Sequence, residues 1–170
     1  MLMALRHLLS IALLPFTVAV LIPLWLVRRN GVPIAWASEG QLLIQLAGCV
    51  VLGIGLRLFV ASLRRFAGEG RGTLAPWDPP RNLVVEGPYR YVRNPMISGL
   101  LFVLFGEALI LRSLPHLEWA AVFLVINLLY IPLFEEPQLA RRFGADYDEY
   151  RRNVPGLLPR FKPWTREDAN

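Results

Sequence analysis

Gly87-Pro88-Tyr89-Arg90-Tyr91-Val92-Arg93-Asn94-Pro95-Met96-Ile97-Ser98-Gly99 joins a basic, aromatic segment to the start of an apolar run. Pro88 and Pro95 lack backbone donors and push the residues before them out of helical geometry, so helix is expected only from Met96 onward. A proline at the start suits that helix. Arg90, Arg93, Asn94 and two tyrosines, Tyr89 and Tyr91, are thereby placed at the mouth of a buried helix. Donors gathered around a helix N-terminus favour an anion.

Toward the C-terminus, Met96 to Leu111 and Trp119 to Phe134 are two apolar runs joined by Ser113-Leu114-Pro115-His116. Both are short for full membrane spans and predict a helical hairpin. Glu107 sits in the middle of the first arm, where a bare carboxylate is costly, so it must be protonated, paired or turned to a polar cavity. Glu135-Glu136-Pro137 marks the return of the second arm to the surface. Carboxylates oppose the dipole at the end of one helix and suit the start of the next. Anchoring and capping compete there with a functional role. From Glu135 to Asn153 the pattern predicts a last, amphipathic helix whose Leu139, Phe143, Tyr147 and Tyr150 share one face. It is expected to lie along the membrane surface against the loop before Asn94.

Toward the N-terminus, Leu8 to Val27 carries no charge and is long enough to span a bilayer. Arg28-Arg29 come before the signal-like Ala35-Trp36-Ala37, which favours a retained span, bent at Pro15 and Pro23. Leu42 to Leu63 is a second span, charged only at Arg57, which is placed to snorkel. Gly48, Gly55 and Ser62 recur every seven residues; close helix packing and chance scatter explain them equally. Between this span and Asn94 lies the longest polar segment. Its Gly68-Glu69-Gly70-Arg71-Gly72 follows no strand and lacks nucleotide-loop spacing, so it reads as a flexible linker. Thr73 to Pro80 reads as extended, ordered chain.

With 55% hydrophobic residues and a mean hydropathy of +0.43, the chain is too apolar for an ordinary soluble domain. The fold class expected is an all-α integral membrane protein of about four transmembrane helices, including the C-terminal hairpin, with an amphipathic C-terminal helix. Residues 1–63 form the N-terminal pair of spans and 64–170 the region carrying chemistry. Of 18 basic residues, only Arg28, Arg29 and Arg112 fall on one side of such a topology and Arg57 within a span. The rest place both termini and the 64–94 loop in the cytoplasm, of a bacterial inner membrane. Basic residues divided between hydrophobic runs argue against nucleic acid as a partner. One cysteine, Cys49, permits no internal disulfide, and neither it nor His7 and His116 builds a metal centre.

Arg93-Asn94-Pro95-Met96-Ile97-Ser98-Gly99, the later Glu135-Glu136, and Arg141-Arg142-Phe143-Gly144-Ala145-Asp146-Tyr147-Asp148-Glu149-Tyr150 with the ending Val154-Pro155-Gly156-Leu157-Leu158-Pro159-Arg160 resemble a known pattern. It is that of the isoprenylcysteine carboxyl methyltransferase and phospholipid methyltransferase family of integral membrane enzymes: Arg-His-Pro-x-x-x-Gly, a hairpin, Glu-Glu and a Tyr-rich helix. Asn94 replaces the usual His and Ile97 the usual Tyr; Asn keeps hydrogen bonding but takes no proton near neutral pH. The resemblance implies S-adenosyl-L-methionine as cofactor. It implies a cofactor site from Tyr89, Tyr91, Arg93, Asn94, Pro95, Ser98, Gly99, Glu135 and Glu136. The carboxylates would face the cofactor's cationic groups, and Arg93 with the Met96 helix start its carboxylate.

A carboxylate acceptor needs no general base, since opposite charges neutralise in a water-poor site. An amine acceptor would need one, with Glu136 or Glu107 as the catalytic candidates. The acceptor expected is amphiphilic, an isoprenylcysteine-like carboxylate or a lipid that enters from the bilayer, and membrane lipids are the other partners. Two rivals stand beside this reading. A membrane sterol- or steroid-type reductase would use NADPH, whose polyphosphate the Glu-Glu pair repels. A non-enzymatic adaptor binding anionic lipid through its basic tail leaves the paired motifs without a role.

Overall fold

The structure, a computed structural model, describes residues 12–32, 39–70 and 82–165, and every regular element among them is helical. The first helix, α1, winds as a π-helix over Ala12–Leu21 and as an α-helix over Ile22–Asn30. Pro23 offers no N–H to the turn behind it, and the Val18 carbonyl in that turn accepts the Trp119 indole at 3.0 Å. Buried His116 bridges Ser113 Oγ (2.7 Å) and the Pro23 carbonyl (3.2 Å). Polar side chains from a later helix thus bond the first helix around Pro23.

The second helix, α2, spans Glu39–Arg65 and continues as a π-helical turn, Phe66–Gly70. This corrects the linker reading for Gly68 to Gly70. Buried Phe66 and the Arg65–Glu69 ion pair at 2.7 Å hold that turn in place. Arg71 and Gly72, the extended chain expected over Thr73 to Pro80, and the beginning of the first expected span lie outside the described residues.

The third helix, α3, is Pro95–Leu111 and packs backbone to backbone on α2. Gly55 faces Gly99 and Gly48 faces Gly106, and a Cβ on any of the four would come within 2.7–2.9 Å of atoms on the opposite helix. The seven-residue recurrence is therefore a packing seam. Ser62 continues it, fully buried, with its hydroxyl donated to the Leu58 carbonyl at 2.6 Å.

The fourth helix, α4, is Leu114–Tyr130 and follows α3 after Arg112 and Ser113 alone. The expected connection over Ser113 to His116 is too long, because Arg112 turns the chain by itself in the left-handed region (φ 49°) and Pro115 fits the first helical turn. Leu100, Leu101 and Leu104 of α3 form a core with Ala120 and Phe123 of α4. Beyond Tyr130 the helix does not break at Glu135-Glu136 as expected. It widens to π geometry over Ile131–Glu135, where Pro132 lacks a donor, and runs on as α5, Glu136–Phe143. The break comes at Gly144, with φ 55° and ψ −131°, so the expected single last helix is two: α5 and α6, Ala145–Asn153. The predicted apolar face is present. Tyr147, Tyr150, Val154 and Trp164 are buried with Leu139, Phe143, Leu83 and Val85, which packs α5 and α6 on the chain before Asn94.

Two stretches, Gln41–Glu69 and Leu114–Phe143, are long and apolar enough to cross a membrane, and α3 is a shorter apolar helix between them. Only 17% and 22% of the apolar windows of the two long stretches are buried within the protein, unlike the core helices of a soluble domain.

Candidate active site

Residues 82–94 reach α3 as a strap anchored by buried Val84, Tyr89 and Val92. Val84 and Tyr89 pack with Phe66 at the end of α2, a 3₁₀ turn covers Gly87–Arg90, and Pro95 opens α3 fully buried. After α6 the chain folds back along this strap. Arg93 and Asn94 donate their backbone N–H groups to the carbonyls of Pro155 (2.8 Å) and Gly156 (3.0 Å). Arg160 and Trp164 donate theirs to Tyr91 (3.0 Å) and Arg90 (2.9 Å). The Arg90 Nε returns a bond to the Trp164 carbonyl at 2.8 Å, and Tyr150 Oη donates to the Tyr89 carbonyl at 2.6 Å.

At the centre lies Glu136, whose side chain is 6% exposed. Arg93 pairs with one of its oxygens at 2.8 Å and Arg151 of α6 with the other at 3.0 Å. Arg93 also donates to Tyr147 Oη at 3.4 Å. Burial, then the charge of Glu136, pushes the Tyr147 phenol up to about 12 against the opposing pull of Arg93. Burial likewise raises Tyr89 and Tyr150; Tyr150 Oη donates to the chain, Tyr147 Oη accepts from Arg93, and Tyr89 Oη is buried without a partner among the described residues. Glu136 therefore ties together the strap, the α4–α5 helix and α6.

One cavity adjoins this centre through Glu136, and a second lies along the strap. A groove of about 390 Å³ is lined by Asn127, Leu128 and Ile131 of the long helix, by Glu136, and by Leu157 and Leu158 of the returning chain. A larger cleft of about 1000 Å³ is lined by charged residues of both signs, including Arg65, Arg90 and Asp146, and by Phe143, Tyr150 and Trp164. The groove lies within the usual size range of small-ligand sites, with mostly apolar walls and few polar groups.

The residues expected at the site fall into three sets. Arg93, Glu135 and Glu136 come together, but Arg93 and Arg151 bond Glu136, leaving Glu135 half-buried beside them. Asn94 and Ser98 come together around the returning chain: Asn94 Nδ2 reaches the Gly156 carbonyl (3.3 Å) and Ser98 Oγ the Leu157 carbonyl (2.6 Å). Of the donors expected to hold an anion at the start of α3, Asn94 and Arg90 are thus directed at carbonyls of the chain itself, and Arg93 at Glu136 and Tyr147. Tyr89 and Tyr91 contribute mainly backbone carbonyls to this arrangement. Gly99 lies in the seam with α2, where Gly55 and Phe59 fill the space a side chain would need. Glu107 stands thirteen residues along α3 from Asn94, about 20 Å at 1.5 Å per residue, and does not join the cluster.

The sequence reading missed Arg151, one charge among several on an exposed helix. It also missed Asn127, whose signal was legible: an amide inside an apolar run, here buried with Nδ2 bonded to the Phe123 carbonyl at 2.8 Å.

Residues 43–146, which run from α2 through α5, match the phospholipid methyltransferase family. Among curated proteins, methanethiol S-methyltransferase 2 of Bradyrhizobium diazoefficiens is 36% identical over 83 residues, 47% of this chain and 30% of that protein. Methanethiol S-methyltransferase of Crocosphaera subtropica is 37% identical over 71 residues, 42% of this chain and 27% of that protein. The alignments thus span under a third of each relative's length. No solved structure matches the chain.

Proposed function

The chain belongs to the phospholipid methyltransferase family, and from that premise we propose that it is an integral membrane methyltransferase dependent on S-adenosyl-L-methionine. The observation that carries the reading is the Arg93–Glu136–Arg151 centre with Glu135 beside it, inside the matched segment except for Arg151.

The residues fit the cofactor. Arg93 Nε is buried without a hydrogen-bond partner among the described residues, which suits a carboxylate. Glu135, half-buried and not bridged by Arg93 or Arg151, suits an ammonium or sulfonium. Arg151 and Tyr147 hold Arg93 and Glu136 in place. When bound, the cofactor supplies an electrophilic methyl group. The protein's part is to orient the acceptor in line and to exclude water, which are large contributions for a transfer between two bound partners.

The acceptor is placed in the groove walled by Leu128, Ile131, Leu157 and Leu158. Two classes follow from its size and apolar lining: a small thiol, as the relatives' names indicate for them, or the apolar-tailed amphiphile expected from the sequence. The amphiphile favours a lipid-side approach. The topology proposed is four spans, with α3 and α4 as the hairpin and the centre on the cytoplasmic face, on the distribution of basic residues. A nicotinamide-dependent reductase is the weaker alternative, as the relatives are methyltransferases and Glu135 would repel phosphate. Thermal unfolding of the detergent-solubilised protein tests the cofactor. S-adenosylhomocysteine raises the midpoint with the logarithm of its concentration over Kd, and NADPH leaves it unmoved. The reverse pattern would reject the proposal.

A further inference from the structure

We propose that the returning segment Leu157–Pro163 is a preformed contact with an anionic lipid surface, seating Leu158 and Phe161 in the bilayer interface at the mouth of the groove. The inference rests on the membrane reading above but not on the reaction. Leu158 is 80% exposed and Phe161 fully exposed. Neither belongs to a helix, and a solvated loop has no reason to hold two large apolar side chains in water. The loop is not slack: Asn94 and Ser98 pin it at the Gly156 and Leu157 carbonyls, and its Arg160 N–H is donated to the Tyr91 carbonyl, so the exposure is imposed by the fold.

Its position supplies the partner. Leu158 lines the same groove as Leu128, Ile131 and Pro132, and these belong to a stretch apolar enough to cross a membrane. On that stretch Leu128, Leu129, Leu133 and Phe134 are exposed. A bilayer covering them reaches Leu158 without further movement of the chain. The charge is complementary as well. Lys162, exposed and next to Phe161, and Arg160 flank the apolar pair, and no acidic residue occurs between Asn153 and Thr165. Cations beside interfacial apolar residues favour anionic headgroups. One wall of the groove would then be formed by a loop whose outer side chains sit in lipid.

The test uses the full chain in nanodiscs, with Cys49→Ser to remove the native thiol. An environment-sensitive fluorophore is attached at Phe161→Cys and, as a control, at Arg142→Cys on the exposed side of α5. Nanodiscs contain either phosphatidylcholine alone or a mixture with phosphatidylglycerol, each with lipids spin-labelled near the headgroup. The position 161 probe should be quenched at least threefold more than the 142 probe, and more in the anionic discs. Lys162→Glu should abolish the anionic increment. Equal quenching at 161 and 142 would overturn the contact. A blue-shifted probe that lipid does not quench would show protein burial and overturn it too, and an unchanged increment in Lys162→Glu would reject the anionic preference. None of these readings depends on methyl transfer, so failure of the catalytic reading remains distinguishable.

Discussion

Glu136 and Glu135 are adjacent in sequence, and Arg93 and Arg151 pair with Glu136 alone. Glu136 is buried between Arg93 and Arg151, so removing its charge leaves two cations facing each other, one of them in a desolvated site. Breaking a buried pair from one side typically costs about 3–5 kcal/mol, and the half-exposed Arg151 moves the expectation to the lower end. Glu136→Gln should therefore lower the melting temperature without ligand. Glu135→Gln should keep it and weaken S-adenosylhomocysteine binding about tenfold or more. Equal melting losses in the two variants would refute this division. The pH dependence adds a second check. Tyr147 has its folded pKa raised from 10.0 to about 12, so its unfolded form loses the proton first as pH rises. Its contribution is fully present below pH 10 and is lost between about 10 and 12. Tyr147→Phe should flatten part of that loss in chemical denaturation at pH 9, 10, 11 and 12. An identical slope in both proteins would contradict it. The place of the two carboxylates after an apolar run is legible in sequence as a choice between anchoring, capping and function. Their division is not, because Arg151 lies fifteen positions away and only the turn at Gly144 brings it back.

Between helices, the α2–α3 seam is the feature on which most of the packing rests. Gly53 and Gly55 are two residues apart on one helix and make opposite predictions. No atom lies within 4 Å of a Cβ at Gly53, whereas one at Gly55 meets the Gly99 carbonyl and Val103 nitrogen at 2.7 Å. Gly53→Ala should leave stability unchanged or raise it by up to about 1 kcal/mol through helix propensity. Gly55→Ala must push two backbones apart and should cost about 1–3 kcal/mol. Thermal unfolding of the two variants side by side checks this, and a Gly55→Ala protein as stable as Gly53→Ala would refute the seam. The seven-residue spacing is visible in sequence, but of its partners Gly99 is expected at the site and Gly106 carries no expectation. The helix ends were harder still. Pro132 and Pro137 imply interruption locally, yet π winding absorbs them and the chain remains helical to Phe143. Gly144, the true stop, follows Arg141 and Arg142 in the last turn, a C-terminal signal that the expectation of one continuous helix passes over.

Across the whole molecule, the helices bring the strap before α3, the α4–α5 helix and the returning chain to one centre, with an apolar groove against it. Its reading as a methyl-transfer site places the acceptor among Leu128, Ile131, Leu157 and Leu158, where each methylene withdrawn from water is worth about 0.8 kcal/mol. The most direct measurement is transfer of labelled methyl from S-adenosyl-L-methionine by the protein in nanodiscs. Acceptors are methanethiol, longer alkanethiols, and amphiphiles with carboxylate or amine heads. The account predicts label in an acceptor, with apparent KM falling as the apolar portion lengthens until the groove is filled, and loss of transfer in Glu135→Gln. No transfer to any acceptor by protein that binds S-adenosylhomocysteine, or equal transfer by Glu135→Gln, would contradict it.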